Sequence, residues 1–141
     1  LNKLKINYSL KDFNIIYDTS ELYQNNYEFI NFGSSLHYFE NYIEILENII
    51  KVSKKYVFFS GSHFYRSKSK SLQKHIIVKQ VNVITKFYYC YFIDRKFFLE
   101  TFVNKGFFIA FEKKNLTDNV NYKNFNHLVD DIMYTDILLN K

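Results

Sequence analysis

Apolar positions along this chain fall into short blocks separated by polar turns, and the spacing changes from block to block. Residues 1–12 are mixed and give no clear element. Phe13-Asn14-Ile15-Ile16-Tyr17 is a short β-prone run ending at Asp18-Thr19-Ser20, residues that suit a turn or a helix cap. A second run, Phe29 to Phe32, stops at Gly33-Ser34-Ser35. From Asn41 through Ser53 the spacing becomes helical. Tyr42, Ile45, Leu46, Ile49 and Ile50 share one face, while Glu44, Glu47, Asn48 and Lys51 fall outside it. Lys54 and Lys55 suit the negative end of that helix. Tyr56-Val57-Phe58-Phe59 is a continuous apolar run, as in a strand covered on both faces, and it stops at Ser60-Gly61-Ser62.

Strand, Gly/Ser turn, helix, strand, Gly/Ser turn is the order of a βαβ unit, whose crossover is expected to be right-handed. Beyond it, Arg66 to Lys79 is a Ser- and Lys-rich loop giving way to a short strand at Ile76-Ile77-Val78. Asp94 is placed to cap a helix that runs through Phe97, Phe98 and Phe102 and closes at Gly106. Phe107 to Phe111 and Tyr134 to Leu139 are the last strands, joined by Asn-rich material from Asn115 to Asn126. With no internal repeat and no Pro/Gly linker, residues 1–141 read as one α/β domain. Ligands of open α/β sheets bind beyond the carboxyl ends of strands, and a glycine there lets a ligand approach the backbone. That makes Tyr27 to Glu40 the segment to watch, although a tight turn is the plainer explanation of Gly33.

Composition changes this picture little. Phenylalanine (16) and tyrosine (13) are abundant and proline and tryptophan are absent, the slant of an adenine/thymine-rich coding sequence. The net charge of +5 rests on lysine, since Arg66 and Arg95 are the only arginines. A nucleic-acid reader would use more arginine, whose planar fork fits phosphates and guanine edges, so no nucleic-acid partner is expected. Cys90 is the only cysteine, which excludes an internal disulfide and a cysteine zinc site and suits a reducing, cytoplasmic setting. His63, His75 and His127 show no metal-ligand spacing, so no metal is expected. No apolar run is long enough to span a membrane.

The order of elements resembles the carboxyl-terminal half of a class I S-adenosylmethionine-dependent methyltransferase, a Rossmann-like sheet, mostly parallel, with a C-terminal antiparallel hairpin and helices on its faces. More narrowly, the chain resembles a family of methyltransferases encoded among bacterial surface-polysaccharide genes. Tyr27 to Glu40 is similar to its "DLV-ASGSLQY-ED" strand and turn, and Tyr56 to Phe64 to its "YLLLDRTPF" strand. Phe87 to Phe98 is similar to its "YPYWILSREKF" approach to the next helix, and His75 to Gln80 to its "FITVQ" segment. His37 stands where that family has glutamine, and Ser62-His63-Phe64 replaces Thr-Pro-Phe. The glycine-rich first strand-turn and the acidic end of the second strand are missing, so the resemblance implies a truncated domain lacking its N-terminal βαβ unit.

What the resemblance implies for the residues is specific. Asp18 would accept a hydrogen bond from the adenine amino group of S-adenosylmethionine, although a turn cap explains it equally well. Phe32, Gly33, Ser34 and Ser35 would meet the methionine end of that cofactor. His37 and Tyr38 would face the acceptor, with His37 as the candidate catalytic base at an ordinary pKa of about 6.5. An isolated histidine is more often a packed one. The cluster Arg66, Lys68, Lys70 and Lys74 would suit a phosphorylated sugar, but a solvated loop is the better explanation. The implied acceptor is a small molecule or saccharide. With half of the donor's contacts missing, weak or absent binding is expected of the chain alone, with self-association through the uncovered flank of the sheet. The alternative is a non-catalytic α/β interaction module or an inactive fragment.

Overall fold

The computed structural model describes residues 19–68, 74–83, 86–115 and 129–141. In chain order the elements are α1 (Thr19–Leu22), β1 (Tyr27–Gly33), a 3-10 turn (Leu36–Tyr38), α2 (Tyr42–Val52), β2 (Ser53–Ser67), β3 (His75–Val83), β4 (Lys86–Asp94), α3 (Arg95–Val103), β5 (Phe108–Asn115) and β6 (Val129–Asn140). The expected strand at Phe13–Tyr17 lies outside the described residues.

The six strands form one mixed sheet in the order β3-β4-β2-β6-β5, with β1 attached to β2. β1 and β4 run parallel to β2, while β6 runs antiparallel to β2 and β5 antiparallel to β6. β3 folds back on β4 as an antiparallel partner. Four described strands (β1, β2, β4 and β5) therefore share one direction. β6 is inserted against that direction between β2 and β5, giving the expected terminal hairpin.

Parallel β1 and β2 joined through α2 make the expected βαβ unit. α2 forms because its apolar residues recur at helical spacing, and Tyr42, Leu46, Ile49 and Ile50 are buried as a result. α3 starts where the Asp94 carboxylate accepts the Phe97 N–H at 2.8 Å, and the chain leaves it through Gly106 at φ +87°. Phe98 and Phe102 of α3 meet Phe59 of β2 at centroid distances of 5.0 and 5.6 Å. α2, α3, β2 and β6 thus share one core, while Tyr65, Ile76, Cys90, Phe92, Val129 and Ile132 form a smaller one.

Two expectations are corrected. β2 does not stop at Ser60-Gly61-Ser62 but continues to Ser67, and the Arg66–Lys79 loop is correspondingly shorter, because β3 begins at His75. The reason is that Gly61, at φ +55°, makes a bulge in the pairing of β2 with β6 between Phe59 and Ser62. A glycine in a left-handed conformation can interrupt a ladder without ending a strand. The strand β4, before α3, was not expected from the sequence.

β2 is the spine of the sheet. β6 covers one of its edges along most of its length. The other edge is divided, with β1 pairing from Ser53 to Ser60 and β4 only at Phe64 and Tyr65. The sheet therefore forks beyond Ser60.

Candidate functional site

The two Gly/Ser segments meet at the fork. At the end of β1 the Ser34 N–H donates to the Ser60 carbonyl at 2.9 Å, and the Ser34 hydroxyl reaches the same oxygen at 3.4 Å. Ser34 holds φ +42°, a conformation few L-residues adopt. Gly61 lies so close to the Ser34 hydroxyl that a methyl group on residue 61 would overlap it. The Gly61 N–H donates to Asp136 Oδ1 at 2.7 Å, and Asn115 Nδ2 donates to the same oxygen at 3.2 Å. The ends of β1 and β5, the bulge of β2 and the middle of β6 are thereby tied together.

Gly33 is different. It has no left-handed φ, and a side chain there would meet only Ser60 Oγ at 3.8 Å, an ordinary contact. Neither packing nor backbone geometry demands glycine at this exposed position. Phe32 is half-buried and packs on Phe59 and Phe39 at 5.9 and 6.1 Å.

Ser35 opens the 3-10 turn, its carbonyl accepting the Tyr38 N–H at 3.0 Å. That turn carries His37 into the fork, where it is 3% exposed. Its ring stacks on His63 of β2 at 3.6 Å and 12°. His63, 5% exposed, is enclosed further by Phe92 at 4.9 Å and the edge of Tyr134 at 4.2 Å. Burial makes the charged imidazolium costly, so the pKa of His37 falls to about 4. Burial and then the neighbouring His37 lower that of His63 to about 3. Both rings are neutral at pH 7. The Nδ1 atoms of both find no hydrogen-bond partner among the described residues. In-plane lone pairs of two stacked rings point along parallel planes, so one metal at about 2.0–2.1 Å from both would require the stack to open. Among the described residues no three His, Cys, Asp or Glu side chains gather as a metal site.

The sequence-selected residues divide as follows. Gly33, Ser34 and Ser35 come together with Ser60-Gly61-Ser62 in one place. His37 is adjacent to them but buried, while Tyr38 beside it is exposed and meets Tyr88 edge-on at 6.5 Å. Asp18, Lys70 and His127 lie outside the described residues. Arg66 and Lys74 are exposed, and the Lys74 ammonium sits 5.3 Å from the Phe97 ring. His63, Asp136 and Asn115 were not anticipated as partners of this site. The available signal for His63 was the apolar pair Phe64-Tyr65, which resumes the strand pattern after Gly61.

No protein-family model and no curated protein matches the chain. Solved structures do match. A Listeria monocytogenes protein proposed to be an S-adenosylmethionine-dependent methyltransferase superposes with a TM-score of 0.55 at 14% identity, over 83% of this chain and 62% of that one. A SAM-dependent methyltransferase from Methanosarcina mazei gives 0.50 at 9% identity, over 83% and 60%. The N-terminal domain of EvdMO1 with SAH bound gives 0.48 at 13% identity, over 87% and 48%. The chain spans about half the length of this last structure and about three fifths of the other two. Its α/β sheet is methyltransferase-like. No helix among the described residues is long and apolar enough to cross a membrane.

Proposed function

We propose that these residues form the second wall of a methyl-donor site in an S-adenosylmethionine-dependent methyltransferase. The observation that carries the reading is the carboxyl end of β1. There a glycine that the fold does not require stands exposed beside the Ser34 and Ser35 hydroxyls, on a sheet whose strand order is methyltransferase-like. Ligands of such sheets approach that end.

S-adenosylmethionine would supply an electrophilic methyl group on its sulfonium. In this chain the hydroxyls of Ser34 and Ser35 would bind the donor's amino or carboxylate group, Gly33 would give clearance, Phe32 would pack against it and Asp18 would accept from the adenine amino group. Methyl transfer asks mainly for alignment of the reacting atoms, which a fixed strand end provides. His37 is neutral at pH 7 and so in the proton-accepting form. With its pKa near 4 it is a weak base, better suited to orienting an acceptor hydroxyl than to removing its proton early. A saccharide or its precursor is the acceptor the sequence resemblance favours. The donor's other wall, a glycine-rich βαβ unit, is not among the 141 residues, and binding by this chain alone is expected to be weak.

The experiment is amide NMR of the chain titrated with S-adenosylhomocysteine to millimolar concentration. Shifts concentrated at Gly33, Ser34 and Ser35, and lost in Gly33→Val, support the reading. Micromolar affinity by calorimetry would overturn the claim that half the site is missing. No shift at this turn at millimolar ligand would favour the second reading, a non-catalytic α/β module. The closed burial of His37 and the apolar flank of β1, open among the described residues, speak for that alternative.

A further inference from the structure

Charge is unevenly spread along this chain. Between Glu47 and Asp94 stand nine lysines and arginines and no acidic residue, whereas the rest of the sequence holds ten cations against fourteen acids. The net charge of +5 therefore arises in the stretch that builds β2, β3 and β4. The β3–β4 ribbon carries lysines and no carboxylate before Asp94, and β3 is the last strand on its side of the sheet.

β4 meets β2 at Ile93 and Asp94, so among the described residues the outer half of the ribbon pairs with itself alone. Lys79 is paired with Tyr89, and residues two apart on a strand share a face. Ile77, Lys79, Phe87 and Tyr89 therefore stand together on one face. Ile77 is 55%, Phe87 51% and Tyr89 61% exposed there. The Phe87 and Tyr89 rings meet edge-on at 5.7 Å, and the Lys79 ammonium lies 3.9 Å from the Phe87 centroid. Lys86, beside Phe87 in the chain, is also exposed. Among the described residues neither lysine pairs with an acid.

An exposed apolar patch rimmed by charge marks an interaction surface. Its chemistry selects the occupant. Aromatic rings settle at the headgroup level of a bilayer, and a lysine stem lies along apolar surface while its ammonium stays in water. Lys79 laid on the Phe87 ring already has that arrangement. Lysines held without acids are drawn to anionic lipid. Nucleic acid fits less well, because Ile77 offers it nothing and the two arginines stand elsewhere, Arg66 on β2 and Arg95 paired with Glu112.

We propose that the outer half of the β3–β4 ribbon docks on an anionic lipid surface. Ile77, Phe87 and Tyr89 enter the headgroup boundary, and Lys79 and Lys86 meet the lipid phosphates. Such docking is peripheral and needs no spanning helix. It holds whether or not the chain binds a methyl donor.

The test is flotation of the full chain with mixed phosphatidylserine–phosphatidylcholine vesicles, beside pure phosphatidylcholine vesicles and a DNA duplex. Binding to the mixed vesicles is expected, weaker in high salt and absent on pure phosphatidylcholine. Lys79→Gln with Lys86→Gln should weaken it at least tenfold, at about fivefold per lysine. Lys54→Gln with Lys55→Gln removes the same charge from the start of β2 and should weaken it far less. Phe87→Ser with Tyr89→Ser should abolish flotation and leave the circular dichroism unchanged, since both rings are exposed. The chain has no tryptophan, so the emission of Tyr89→Trp reports this site alone and should shift to the blue on the mixed vesicles. Absence of flotation, equal losses in the two lysine pairs, unshifted emission or tighter binding to the duplex would each overturn the proposal.

Discussion

The stacked pair His37–His63 makes the fold acid-sensitive in a calculable way. Both imidazoles are neutral in the folded chain, with pKa values near 4 and 3, and return to about 6.5 when it unfolds. Between these limits the unfolded chain binds more protons, so stability is full above about pH 6.5 and falls as the pH drops toward the folded values. Going from about pH 7.5 to about pH 5, each histidine costs about 2 kcal/mol, and the pair about 4 kcal/mol. Domains of this size are stable by only about 5–15 kcal/mol, so the loss is large. The control is His37→Phe with His63→Phe, which keeps two aromatic rings in the fork and removes both titrations. Urea unfolding followed by far-ultraviolet circular dichroism at the two pH values gives the comparison. The wild-type chain should lose about 4 kcal/mol more than the double variant over that interval. Equal losses would refute the reasoning, since the histidines would then be solvated in the folded chain or protonated without penalty.

Other outcomes follow from single contacts. Gly61→Ala forces a side chain into a left-handed conformation and onto the Ser34 hydroxyl, and should cost at least about 1–2 kcal/mol in urea unfolding. Asp94→Ala removes the cap of α3 and should cost about 1 kcal/mol by the same measurement. Phe98→Ala empties a core position shared with Phe59, Phe64 and Phe102 and should cost about 3–5 kcal/mol, enough to lower the thermal midpoint markedly. Gly33→Val should leave the thermal midpoint nearly unchanged, because the added side chain meets little. That separates its expected loss of donor-induced NMR shifts from misfolding.

Much of the fold was legible because its periods are local. The apolar face of α2, the cap at Asp94 and the left-handed Gly106 are written within a few residues of one another. What was misread depends on distant partners. A glycine followed by serine looks the same whether it ends a strand or bulges it, and at Gly61 the decision is made by Asp136 on β6. β4 was missed because Lys86 to Tyr89 are exposed on both faces, so alternation of the usual kind is absent. The meeting of Gly33-Ser34-Ser35 with Ser60-Gly61-Ser62 could be anticipated from parallel strand ends. The stack of His37 on His63 could not, since it depends on how far β2 continues past its bulge.

The fork of the sheet has a mechanical consequence. Among the described residues the β3–β4 ribbon pairs with β2 through Phe64–Ile93 and Tyr65–Asp94, a short seam beside the long ladder of β2 with β6. Its aromatic side chains at Tyr88 and Phe92 reach back to Tyr38 and His63, and so bear on the wedge that fills the fork. A displacement of β4 would therefore reach Tyr38 and His63, the two rings that touch His37, and through Cys90 and Phe92 the smaller core as well.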